Sequence, residues 1–63
     1  MTEVWTAGTI RSLRRGMLLT QAQFGQRLLV DRYTINKWEG GKGRPSIRNQ
    51  IKLNELAATR TVS

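Results

Sequence analysis

The stretch from Thr20 to Gly41, TQAQFGQRLLVDRYTINKWEGG, carries two helix-start signals with very little chain between them. Thr20 followed by Gln23 has the form of a capping box, in which each side chain satisfies a free backbone N–H at the helix start. Asp31 is a strong N-cap whose carboxylate also suits the positive end of the next helix dipole. Leu19 with Phe24, and Val30 with Ile35, stand where hydrophobic staples would fix the entry into each helix. The stretch therefore predicts two short helices joined by a tight turn at Leu29 and Val30. Phe24 and Leu28 form the buried stripe of the first, leaving Gln21, Ala22, Gln26 and Arg27 to the surface or its border. Ile35 and Trp38 turn the second inward and leave Arg32, Tyr33, Asn36 and Lys37 outward. Gly25 costs roughly 1 kcal/mol against alanine in a helix interior. Either another helix passes too close for a methyl group, or the glycine is merely tolerated.

The flanking chain completes a helical bundle. From Ala7, the spacing of Ile10, Leu13 and Met17 predicts a helix capped by Thr6 and ending near Gly16 or Met17, with Leu18 and Leu19 opening the connection. Residues 1–5 form a short lead-in, of which Trp5 can cover one end of the core. After the Thr20–Gly41 unit, Gly40 or Gly41 is free to take the left-handed conformation of a helix C-terminus. Pro45 and Ser46 then open a last helix carrying Ile47, Ile51, Leu53, Leu56 and Ala57. That apolar face is wider than one core needs, so part of it is either a small core covering or a partner surface. Residues 59–63 are expected to fray.

The chain has 63 residues, enough for a single domain of residues 1–63, and a chain this short buries only about 60% of the surface its unfolded form exposes. It has no cysteine and no histidine. A disulfide framework, a Cys/His zinc site and thiol or imidazole catalysis are thereby excluded. The four carboxylates, Glu3, Asp31, Glu39 and Glu55, show no acid/base pairing, and the glycines at 40, 41 and 43 lack the pattern of a phosphate loop. No enzyme, cofactor or metal is implied.

Eleven Lys and Arg against four Asp and Glu give a net charge of +7, a strong field for so small a body and one that favours a polyanion. The cations are interleaved with apolar positions, which argues for a folded basic surface over a disordered arm. No apolar run approaches the roughly 20 residues of a membrane span, and the first residues lack a signal-peptide pattern. A cytoplasmic protein is expected. Binding to a membrane surface is disfavoured, because the basic and apolar faces fit a closed bundle better than an interfacial helix.

Reading the major groove requires side chains near a helix N-terminus that reach base edges, while flanking groups hold phosphates. Arg32 can donate two hydrogen bonds to guanine, Asn36 can pair with adenine, and Lys37 can reach guanine or a phosphate. Tyr33 can offer its ring edge to a thymine methyl or its hydroxyl to a phosphate. Gln21 on one side, with Lys42 and Arg44 on the other, can clamp the backbone. Taken singly, each is an ordinary solvated side chain, and it is the capped turn together with the charge that gives them a common purpose. Glu39 sits in a basic neighbourhood where an acid would repel phosphate, so an internal partner is expected, with Arg14 the candidate. Trp38 shares a face with Ile35 and is expected in the core.

The run Ile10-Arg11-x-Leu13-Arg14, then Leu19-Thr20-Gln21-x-x-Phe24-Gly25-x-x-Leu28-x-Val30, then Thr34-Ile35-x-x-Trp38-Glu39-x-Gly41, then Pro45, resembles the Cro/C1-type (XRE) helix-turn-helix domain over residues 7–57. The resemblance implies an all-α, lambda-repressor-like bundle of four helices, with room for a fifth, and a helix-turn-helix at about residues 20–40. It implies base reading by Arg32, Tyr33, Asn36 and Lys37, phosphate contacts by Thr20, Gln21, Lys42 and Arg44, and an Arg14–Glu39 pair tying the first helix to the third. The implied partner is double-stranded DNA, an operator with inverted-repeat symmetry bound by a homodimer. The implied role is a Cro-like repressor of a phage or mobile element, acting at the nucleoid of a bacterial or phage-infected cell. An antitoxin or protein-interaction adaptor, or an excisionase-like architectural DNA binder, is the alternative. Two positions depart from the family pattern. Gly25 stands where alanine is usual. Leu29 stands where the turn usually has glycine, so either the turn differs or a strained left-handed leucine is tolerated.

Overall fold

In a computed structural model, which describes residues 5–61 and their side chains through Thr59, four helices follow one another: α1 (Ala7–Gly16), α2 (Gln21–Leu28), α3 (Arg32–Glu39) and α4 (Ile47–Thr61). Among the described residues no helix is long and apolar enough to cross a membrane. Each helix start has a side-chain cap. Thr6 accepts from the Thr9 N–H and the Thr9 hydroxyl accepts from the Thr6 N–H, a capping box without a glutamate. Thr20 and Gln23 make the same reciprocal pair at 3.1 and 2.9 Å. The Asp31 carboxylate accepts from both the N–H and the hydroxyl of Thr34, and Ser46 Oγ accepts from the Asn49 N–H.

The first three helices also end alike. The Leu19 N–H bonds to the Arg14 carbonyl and the Leu18 N–H to that of Arg15; Val30 and Leu29 repeat this with Gly25 and Gln26, and Lys42 and Gly41 with Lys37 and Trp38. Each pair is a Schellman motif, which requires one left-handed residue just past the helix. Those residues are Leu18 (φ 59°), Leu29 (φ 60°) and Gly41 (φ 74°). The turn at Leu29 thus takes the left-handed conformation and tolerates the strain. Leu18, in the earlier connection, does the same at a position where the sequence carried no warning.

Gly25 is explained by this turn, and the expectation of another helix crossing there is corrected. A methyl group on Gly25 would lie 2.6 Å from the Val30 carbonyl oxygen. It is the chain leaving α2, folding back through the Schellman bonds, that comes too close.

Trp5, Ile10, Leu13, Phe24, Leu28, Ile35, Trp38 and Leu53 form the buried core, with Met17, Leu19, Val30, Leu56 and Ala57 packed against it. Trp5 also donates from its indole nitrogen to Asn54 Oδ1 at 2.8 Å, fastening the lead-in to α4. The other lead-in residues, 1–4, lie outside the described residues, as do 62 and 63 of the expected tail; residues 59–61 are the last turn of α4. On α4 the wide apolar face divides. Leu53, Leu56 and Ala57 turn to the core, while Ile47 and Ile51 lie on the far side of the helix at 76% and 52% exposure.

Candidate nucleic-acid interface

The position of α3 is set from two sides. The α2–α3 turn fixes its N-terminus, and a polar cluster around Glu39 fixes its C-terminus. Glu39 is buried, and Arg14 donates to its carboxylate through Nε at 2.6 Å and Nη2 at 2.9 Å. Gln21 Nε2 approaches Oε1 at 3.4 Å, and Arg11 Nε lies 3.7 Å from the same oxygen. Burial opposes the charged carboxylate, but the Arg14 and Gln21 hydrogen bonds and the Arg14 and Arg11 charges outweigh it, holding Glu39 below the ordinary glutamate range. The Glu39 hydrogen bond correspondingly raises Arg14. Asp31 is lowered by the Thr34 hydroxyl and then by the Thr34 backbone N–H. Glu39, Arg14 and Asp31 are therefore ionised at neutral pH.

Arg11, from the Ile10–Arg14 run of the sequence, joins this cluster. Its Nη2 donates to the Glu39 backbone carbonyl at 2.9 Å, so a side chain of α1 caps the C-terminus of α3. Lys52 of α4 does the same for α2, donating from Nζ to the Leu28 carbonyl at 3.2 Å. The signal for Arg11 was its place three residues before Arg14, on the same helical face.

With α3 held this way, Arg32, Tyr33, Asn36 and Lys37 are all exposed, and among the described residues Arg32 and Asn36 make no side-chain hydrogen bond or ion pair. Tyr33, Asn36 and Lys37 line a groove of about 530 Å³ together with Gln21, Lys42 and Arg11. Arg32 and Thr20 are exposed but lie outside its lining. Arg44 lines a separate cleft of about 290 Å³ beside Trp5, Trp38 and Pro45. The groove carries the cations Arg11, Arg14, Lys37 and Lys42 against the single carboxylate of Glu39. Anionic ligands are favoured there, and the amide of Asn36 and the phenol of Tyr33 add hydrogen-bonding specificity that charge alone lacks.

Two capped helices about a stapled turn, the second presenting an unobstructed polar and basic face, define the class of helix-turn-helix domains. The family model for Helix-turn-helix (HTH_3) matches residues 10–57, and the chain belongs to that family, in its Cro/C1 (XRE) branch. Among curated proteins it is similar to the HTH-type transcriptional activator BcrR of Enterococcus faecalis, at 45% identity over 40 residues, 64% of this chain and 20% of that protein. The chain thus spans about a fifth of the relative's length. No solved structure matches significantly.

Proposed function

We propose that the chain is the sequence-specific, double-stranded-DNA-binding unit of a transcription regulator that works in the cytoplasm on the nucleoid. α3 enters the major groove; Arg32, Tyr33, Asn36 and Lys37 meet base edges, and Thr20, Gln21, Lys42 and Arg44 hold phosphates on either side. The observation that carries this reading is the outward face of α3, where these groups stand exposed on a helix locked at both ends. Two copies on an inverted repeat would set their α3 helices about 34 to 36 Å apart in successive major grooves. Occupying an operator in this way blocks polymerase, which is repression of the Cro kind in a phage or mobile element.

Selection of bound sites from random DNA tests the reading, and a two-fold symmetric consensus is expected. Arg32→Ala should relax the preference at one base pair of each half-site, at about 1 to 3 kcal/mol. A uniform loss on every sequence would make Arg32 a phosphate contact instead.

A second reading is favoured by two observations. The relative in Enterococcus faecalis is named an activator, and the Ile47–Ile51 stripe on α4 is exposed. A protein partner held on that stripe would make the chain an activator, or an antitoxin or adaptor with autoregulatory DNA binding. Ile47→Asp leaving regulation unchanged in cells would exclude a role for the stripe.

A further inference from the structure

Lys37 differs from the other outward residues of α3 in how its side chain is held. Its Nζ lies over the ring of Tyr33, 5.9 Å from the centroid, one helical turn back along the same face. From the other direction its stem runs along the loop after α3, where a methyl group on Gly43 would meet Lys37 Cε at 3.5 Å and Cβ at 4.0 Å. The backbone of that loop is in turn fixed by the Lys42 N–H bond to the Lys37 carbonyl at 2.9 Å. A lysine has a flexible four-carbon stem and loses considerable rotamer freedom when it docks. Here the stem lies between a loop wall and an aromatic face, and the ring's negative quadrupole attracts the ammonium. Tyr33 itself is 70% exposed.

We infer that Tyr33 is a positioning residue for Lys37, and that the two act as one reader of a single base pair. The inference rests on the reading that α3 meets base edges. The ring supplies pre-organisation: it holds the ammonium near the place where it meets a guanine acceptor, so less freedom is lost on binding. It follows that the aromatic ring of Tyr33 matters to specificity and its hydroxyl does not. It also follows that losses at the two positions are not additive, because removing either partner removes the same interaction.

The test has an arm without DNA and an arm with it. In the free protein, the Lys37 ε-methylene protons should be shifted upfield by the ring current, with the shift kept in Tyr33→Phe and lost in Tyr33→Leu. Lys37 protons at ordinary positions in the unaltered protein would overturn the pairing. In site selection, Tyr33→Leu should weaken the preference roughly twofold to fivefold, the span of an exposed cation–π contact of about 0.5 to 1 kcal/mol, and at the same base pair that Lys37→Met affects. Tyr33→Phe should rescue it, and the double variant Tyr33→Leu/Lys37→Met should fall no further than Lys37→Met alone. Additive losses, losses at different base pairs, or failure of phenylalanine to rescue would each overturn the inference and make Tyr33 an independent contact. A protein that shows the ring shift but selects no sequence would overturn the DNA-reading proposal instead.

Discussion

Leu18 and Leu29 are the residues whose conformations run most directly against their chemistry. A left-handed backbone brings Cβ close to the following carbonyl oxygen and costs roughly 1 to 2 kcal/mol in an L-residue. Both side chains are open to solvent, at 90% and 81% exposure, so little packing offsets that cost. Leu18→Gly and Leu29→Gly should therefore each stabilise the domain, by about 0.5 to 1 kcal/mol once the greater entropy of glycine in the unfolded chain is deducted. Thermal melting measures this directly, and an unchanged or lower Tm would show that the leucines are held by something other than the Schellman bonds. Gly25 has the opposite sign. A methyl group 2.6 Å from the Val30 carbonyl forces the turn apart, and Gly25→Ala should cost about 1 to 2 kcal/mol despite alanine's better helix propensity.

Between elements, the Arg14–Glu39 contact joins α1 to α3 and is largely shielded from solvent, with side-chain exposures of 16% and 4%. Removing Arg14 leaves the buried Glu39 charge only the Gln21 hydrogen bond and the more distant Arg11, so Arg14→Met should destabilise by about 3 kcal/mol. Adding Glu39→Met should recover much of that loss, apart from the Arg14 bond to the Leu19 carbonyl. Glu39 also makes stability depend on pH. Its folded pKa lies below the ordinary value of 4.5, so the native state favours the ionised form. That stability is complete above about pH 4.5 and is lost as the pH falls through the lower folded value. Asp31, lowered by its Thr34 bonds, acts in the same direction. Melting temperatures should decline from about pH 4.5 downward, and the decline should be shallower in Glu39→Gln. A steep rise in stability on acidification would contradict the ion-pair geometry.

For the whole molecule, size and charge set the terms of DNA binding. The longest extent is 31 Å, so under the proposed reading one copy meets one half-site and an inverted-repeat operator takes two. A net charge of +7 on such a body makes affinity strongly salt-dependent. If Lys42 and Arg44 each neutralise a phosphate, log affinity should fall against log salt with a slope of roughly −2 per copy. Lys42→Ala should flatten the slope by about one and weaken all sequences alike. A flat dependence between about 50 and 200 mM salt would sink the DNA-binding proposal.

The helix starts, the turn and the outward residues of α3 are legible in local sequence alone. Caps and apolar periodicity act over three or four residues, and Thr6, Thr20, Asp31 and Ser46 each had their hydrogen-bond partner within that distance. Packing between the helices sets which face meets which. It divided the α4 apolar residues, sending Leu53 inward and leaving Ile47 and Ile51 in solvent, because only one side of a helix can touch the bundle. It brought Arg11 across 28 residues of chain to cap α3, a bond that no local pattern specifies. At Leu29 the helix packing on either side of the turn fixes the backbone, and that constraint outweighs the leucine's own preference.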